Sequence, residues 1–290
     1  MTSDARTPGG ALVLDGNSLR DRMIADIGRE VAALHSAPCL ATVLIGDDRP
    51  SQVYVRNKHR FAQLAGMTSR NETLPATVSQ RDAASLVASL AKDATVSGII
   101  VQQPVPPHLD GEALLALIPV EKDVDGLTTL SMGALVRGAR SLVPCTPLGV
   151  LRLLQHYGAK IAGKRVVVVG RSSLVGMPLA ILLSRKGTDA TVTLAHSRTA
   201  DIAAVCREAD ILISATGQAH SIRREHVKPG AWVVDVGISR SESGVVGDVA
   251  FDEVQAVAAA ITPMPGGTGP MTVACLIENT LAAWRHQNMR

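Results

Sequence analysis

The stretch VVVVGRSSLVGMPLAILLSR, residues 166–185, decides the fold. Four consecutive valines suit a strand buried on both faces, the pattern of a parallel sheet covered by helices. A glycine ends the run, a short polar loop follows, and then an apolar helix begins. Such a helix N-terminus presents free N–H groups to a phosphate. The spacing is Gly170-x5-Gly176 and not G-x-G-x-x-G, so the dinucleotide signature is incomplete and its context says more than its pattern.

Working outward, PLGVLRLLQHYG at 147–158 predicts a helix before this strand, and TVTLAH at 191–196, ILISATG at 211–217 and WVVDVG at 232–237 predict strands after it. A similar series lies upstream: CLATVLIG at 39–46, a helix opened by Pro50 and closed near Gly66, a helical run at 79–92, and SGIIVQQP at 97–104. Strand–helix alternation predicts an α/β protein with two domains around a cleft, the second a Rossmann-like doubly wound parallel sheet. Two prolines in VPCTP, 143–147, interrupt the pattern. The expected domains are therefore 1–146 and 147–269; a C-terminal helix over 270–290, after the Gly/Pro-rich turn, could dock back onto the first, which periodicity alone leaves open.

Composition narrows the class. Of 290 residues, 46% are hydrophobic but only 2% aromatic, so the core must be built from Ala, Val, Leu and Ile. A formal net charge of +3, dispersed basic residues and scarce aromatics argue against a nucleic-acid partner. Cys39, Cys145, Cys206 and Cys275 are far apart, without C-x-x-C spacing or companion histidines, and read as reduced packing residues, with no metal site expected. The N-terminal residues lack the apolar core of a signal peptide, and no long apolar run suggests a membrane span, so a cytoplasmic location is expected.

Candidate chemistry lies in several segments. In PSQVYVRNKHR, 50–60, Tyr54 and Lys58 stand four apart and share one helix face, where ring and ammonium could line a pocket. Gln102 falls at the carboxyl end of a predicted strand, where parallel sheets place ligands, and its amide could orient the lysine amine. Alternation along the strand sends Gln103 to the opposite face. In EKDVDGL, 121–127, Asp123 and Asp125 lack the further donors a metal would need, but a carboxylate suits a ligand with adjacent N–H donors. At the end of the strand TVTLAH stands His196-Ser197-Arg198, where a unit specific for NAD usually carries an acid for the ribose. Ser197 with Arg171, and Arg198 beside them, fits a 2'-phosphate better, so NADP is the expected cofactor. Ser197 could equally cap the next helix.

Taken together, GDDRPSQVYVRNK, GIIVQQP, EKDVDG, PCTPLGV, VVVVGRSSLVGMP, WVVDVGI and ITPMPGGTGPMTVACLIENTL resemble the bifunctional methylenetetrahydrofolate dehydrogenase/methenyltetrahydrofolate cyclohydrolase family, in order and over nearly the whole chain. That resemblance implies oxidation of 5,10-methylenetetrahydrofolate with NADP, then hydrolysis of the methenyl product to 10-formyltetrahydrofolate. It implies Lys58 as general acid/base, Gln102 tuning it, Tyr54 stacking on the folate and Asp125 anchoring the pterin. It also implies NADP contacts from Gly170, Arg171, Ser172, Ser197 and Ile238, and a folate border formed by Pro265, Gly266, Gly267 and Gly269. A homodimer joined through the nucleotide domain is the family's common state. One departure is VQQP, residues 101–104, where the family usually reads VQLP. The alternatives are a shikimate-dehydrogenase-like NADP oxidoreductase, which leaves Tyr54, Lys58 and EKDVDG unexplained, and a non-catalytic nucleotide sensor, against which intact Lys58, Gln102 and Asp125 argue.

Overall fold

Val166, Val167, Val168 and Val169 are each no more than 2% exposed, in a strand with neighbours on both sides. The computed structural model describes residues 5–139, 141–241 and 244–288. Among these the strands are β1 (Leu12–Val13), β2 (Cys39–Ile45), β3 (Thr68–Leu74), β4 (Gly98–Val101), β5 (Arg165–Val169), β6 (Thr191–Ala195), β7 (Ile211–Ser214), β8 (Trp232–Asp235), β9 (Ser239–Ser241), β10 (Gly244–Val246) and β11 (Ala260–Ile261). The chain divides into a unit of Met1–Arg20 with Thr146–Thr272 and a unit of Asp21–Cys145 with Val273–Arg290.

The first of these holds a six-stranded sheet ordered β1-β11-β8-β7-β5-β6, every pairing parallel. The sequence order reverses between β5 and β7, the switch point at which open α/β sheets take their ligands. Leu212, Val233 and Ile261 from successive strands pack with Val167 and Val169 in one apolar cluster. Each such buried side chain contributes roughly 1.5–3 kcal/mol. The N-terminal residues sit differently from the single block 1–146 read from the sequence: β1 extends the large sheet, Leu12 pairing with Ala260 and Val13 with Ile261. Asp15 N donates to Tyr157 Oη at 3.0 Å and Gly16 N to the Gly266 carbonyl at 2.8 Å, which ties residues up to Arg20 to this unit. A strand of two residues is too short to leave a periodic signal.

The other unit carries a three-stranded parallel sheet, β3-β2-β4. All seven residues of β2 are buried, and Cys39, Ala41, Val43 and Ile45 face Val87 and Leu90 of the helix Gln80–Lys92. No apolar pattern announced β3, whose residues from Thr68 to Thr73 are polar and exposed or half-buried, because an edge strand needs no apolar run. The helix Thr268–Asn288 begins two residues before the expected 270, and 289 and 290 lie outside the described residues. Its part from Val273 onward belongs to the three-stranded unit, where Asn279 Nδ2 donates to the carbonyls of Val124 (2.8 Å) and Val143 (2.9 Å), and Gln287 Nε2 donates to that of Ser97 (2.8 Å).

Candidate functional site

In the three-stranded unit the helix Arg49–Leu64 starts on Asp48, whose carboxylate accepts Ser51 N at 2.8 Å, with Pro50 in the first turn. Ser51, Val55, Phe61 and Ala62 are buried, which fixes the rotation of the helix and leaves Tyr54 44% exposed with Lys58 half-buried on the adjoining face. Lys58 Nζ donates to Gln102 Oε1 at 3.0 Å, and Gln102 Nε2 donates to the Gln103 carbonyl at 2.7 Å. The second bond fixes which amide atom faces the lysine. Gln102 follows directly on β4, at the carboxyl end of the sheet. The Gln103 side chain turns towards Gly111, where a Cβ would lie 3.1 Å from its Oε1, and its Nε2 is buried without a hydrogen-bond partner.

The two acids of EKDVDG divide their roles. Asp123, 1% exposed, accepts the N–H groups of Gly126 (3.0 Å), Leu127 (3.2 Å) and Thr128 (2.8 Å), and so builds the loop. Asp125 is left half-buried at its surface. The buried Cys145 thiol feels the charges of both Asp125 and Lys58. Burial, the Asp125 carboxylate and Cys275 push its pKa well above the usual value, while Lys58 pulls the other way. Lys58, Gln102 and Asp125 thus share one neighbourhood. Sequence reading missed His59, whose ring pairs with Thr42 Oγ1 of β2 and whose pKa is lowered by burial and then by the Lys58 charge.

The six-stranded unit carries a second constellation at its switch point. Gly170 has φ +120°, and a Cβ there would meet the Ala215 carbonyl oxygen at 2.2 Å; one on Gly176 would meet the Gly170 carbonyl oxygen at 1.9 Å. Both glycines of the x5 spacing are therefore demanded by close backbone approach. Past the turn, Ser172 Oγ accepts Val175 N at 3.2 Å, and the helix Gly176–Ser184 begins. A cavity of about 450 Å³ opens here, lined by Gly170, Arg171, Ser172 and Ser197 together with His196, Thr216, Gln218 and His226. Ile238 is not among the lining residues; it stands 46% exposed beyond the end of β8. Arg198 also stays outside the lining, its backbone N–H donating to His196 Nδ1 at 3.2 Å. Among the described residues the lining holds no carboxylate, so the donor set fits a phosphorylated ribose. Thr216, Gln218 and His226 escaped sequence reading because the first two lie on the loop after β7 and the third ends the short 3-10 turn Arg224–His226, none with a pattern of its own.

Pro265, Gly266, Gly267 and Gly269 lie in the six-stranded unit, in the turn that opens the last helix. Gly266 has φ +110°, and a Cβ on Gly267 would meet the Pro263 carbonyl oxygen at 2.7 Å. No group of three or more potential metal ligands occurs among the described residues, and none of their helices is long and apolar enough to cross a membrane.

Residues 14–125 match the model of the tetrahydrofolate dehydrogenase/cyclohydrolase catalytic domain, and residues 144–288 match that of the NAD(P)-binding domain of the same family. The chain belongs to the tetrahydrofolate dehydrogenase/cyclohydrolase family. The bifunctional protein FolD 2 of Frankia alni is 52% identical to it, over 95% of this chain and 96% of that protein. The methylenetetrahydrofolate dehydrogenase-cyclohydrolase of Trypanosoma brucei, solved with NADP and an inhibitor, is 40% identical, covers 95% of this chain and 98% of its own, and superposes with a TM-score of 0.90. A shikimate dehydrogenase of Aquifex aeolicus shares the fold alone, at 12% identity, 89% and 94% coverage and a TM-score of 0.52. The shikimate alternative is therefore not favoured over membership of the folate family.

Proposed function

We propose that this family member uses NADP to oxidise 5,10-methylenetetrahydrofolate and then hydrolyses the methenyl product to 10-formyltetrahydrofolate, with Lys58 managing protons in the second step. The observation that carries this reading is the 3.0 Å bond from Lys58 Nζ to Gln102 Oε1. An amine held at a fixed point can hand a proton to or from a bound pteridine; a freely rotating one cannot do so reproducibly. NADP, when bound, accepts the hydride that leaves the substrate's methylene carbon. The residues act around that event. Asp125 accepts from the amidine-like edge of the pterin, and Tyr54, with its ring exposed, stacks on it. Water then adds to the electrophilic methenyl carbon, the bond to N5 breaks with N5 taking up a proton, and one proton is released. Lys58 serves that traffic, and no metal is needed, because the cationic carbon is already activated.

Arg171 and Ser197 supply charge and a hydroxyl to the 2'-phosphate, Gly170 and Ser172 bring backbone close to the pyrophosphate, and Ile238 lies against the dinucleotide beyond the cavity lining. Pro265, Gly266, Gly267 and Gly269 border the folate. The working form is a homodimer in the cytoplasm, acting on a small-molecule folate. The test supplies purified protein with 5,10-methylenetetrahydrofolate and either NADP or NAD, and follows the methenyl chromophore. Rise and decay with NADP are expected; no absorbance change with either nucleotide would end the enzymatic reading.

A further inference from the structure

We propose that Asp248 is a positioning residue for cofactor binding: its carboxylate, interlocked with Asp235, sets the backbone corner Thr216–Gly217–Gln218 that walls the nucleotide cavity. This rests on the reading of that cavity as the NADP site. Where a strand ends, its next N–H groups lose their ladder partners and must be satisfied elsewhere. After β7 the N–H groups of Thr216 and Gly217 find that partner in a single atom. Asp248 Oδ2 accepts Ser214 Oγ at 3.0 Å, Thr216 N at 2.6 Å and Gly217 N at 3.3 Å, and Thr216 and Gln218 line the cavity.

The acid does not act alone. Asp248 N donates to Asp235 Oδ1 at 3.0 Å, Val249 N to Asp235 Oδ2 at 2.9 Å, and Gly237 N to Asp235 Oδ1 at 2.9 Å. Asp248 therefore holds the corner after β7 while Asp235 holds the corner after β8, and backbone bonds lock one to the other. Two glycines make room for this: a Cβ on Gly237 would stand 1.9 Å from Asp248 Oδ1, and one on Gly247 would stand 1.9 Å from Asp235 Oδ2. Asp248 is 0% exposed and Asp235 2%, and the groups that donate to them from Ser214, Thr216, Gly217, Gly237, Asp248 and Val249 are O–H and N–H dipoles, not cations. Asp248 Oδ1 has no hydrogen-bond partner. Burying a carboxylate this way is expensive, and a neutral side chain could cap a corner more cheaply. What the charge adds is strength, because amides bound to an ionised acceptor are held about twice as firmly as by a neutral one. Burial, opposed by the N–H groups of Val249 and Asp248 and reinforced in smaller part by the Asp248 carboxylate, pushes Asp235 up to about 6.

The enzyme contains its own control, since hydrolysis of methenyltetrahydrofolate consumes no nucleotide. In the full-length protein, Asp248→Ala should raise the dehydrogenase KM for NADP at least tenfold and Asp248→Asn by a smaller factor, with cyclohydrolase kcat/KM within twofold of wild type in both. Equal losses of the two activities would mark Asp248 as a purely structural residue, and an unchanged KM for NADP would also overturn the proposal. If the Asp248 variants do not fold, Ser214→Ala decides: a KM for NADP raised about threefold with hydrolysis intact supports the proposal, and an unaltered KM refutes it. Ser197→Asp, titrated with NADP in parallel, separates the two levels of inference. If it too leaves NADP binding unmoved, the cavity is not the cofactor site; if it alone weakens binding, only the role of Asp248 falls.

Discussion

Replacing Gln102 with methionine preserves side-chain volume and removes the acceptor that fixes Lys58. The lost bond, 3.0 Å long from a half-buried ammonium, belongs to the class of hydrogen bonds to charged groups, worth about 1.5–3 kcal/mol. At about 1.4 kcal/mol per decade, that is a fall of roughly 10- to 100-fold in the rate of methenyltetrahydrofolate hydrolysis, if the whole of it holds the amine in its reactive position. The substitution also removes the 2.7 Å bond from Gln102 Nε2 to the Gln103 carbonyl, so a melting curve is recorded alongside. The assay is the first-order decay of the methenyl absorbance with NADP absent, followed by NADP titration of the same preparation. Decay slowed at least tenfold, with NADP affinity within twofold of wild type, is the expected result. A variant that hydrolyses within twofold of wild type would show that the amide does not position the amine.

Further outcomes follow from the glycine loop, the phosphate contact and the acid pair. Gly170→Ala should abolish NADP binding and destabilise the chain by more than about 3 kcal/mol, because its Cβ would meet the Ala215 carbonyl at 2.2 Å with φ at +120°; urea melts check this, and a loss below about 1 kcal/mol would contradict it. Ser197→Asp should weaken NADP by like-charge repulsion while affecting NAD little, and equal losses for both nucleotides, measured by titration, would place the 2'-phosphate elsewhere. Asp235 titrates at about 6 in the folded chain against 3.8 in the unfolded one, so between those values the native state holds a proton that unfolding releases. Stability contributed there is present at low pH and declines as pH rises through about 4 to 6, by about 3 kcal/mol in all. Asp235→Asn removes that titration, so the stability of wild type relative to the variant should fall across the window in urea melts at several pH values; a flat difference would refute it.

The alternation of apolar runs and helices made the large sheet legible, because the runs Val166–Val169 of β5, Ile211–Ile213 of β7 and Val233–Val234 of β8 are buried on both faces and are apolar. β3 was illegible for the opposite reason: Arg70, Asn71 and Glu72 lie on an edge strand where water covers one side. The membership of residues up to Arg20 in the larger unit depends on two residues pairing with a strand almost 250 positions away, which no local pattern carries. Lys58 and Gln102 could be paired because helix spacing and strand ends have fixed geometry. Asp123 and Asp125 could not be told apart by spacing alone; only the three N–H groups converging on Asp123 assign it to the loop. Asp235 and Asp248 passed unnoticed because Asp235 looks like an ordinary polar residue closing the run WVVD, Asp248 follows a glycine with no pattern of its own, and their meeting is tertiary.

The decisive measurement is hydrolysis of methenyltetrahydrofolate by Lys58→Met, a side chain of similar length without the amine. Decay of the methenyl absorbance should drop to the uncatalysed rate while NADP binds with near wild-type affinity. Catalysed hydrolysis persisting in that variant would contradict the role assigned to Lys58.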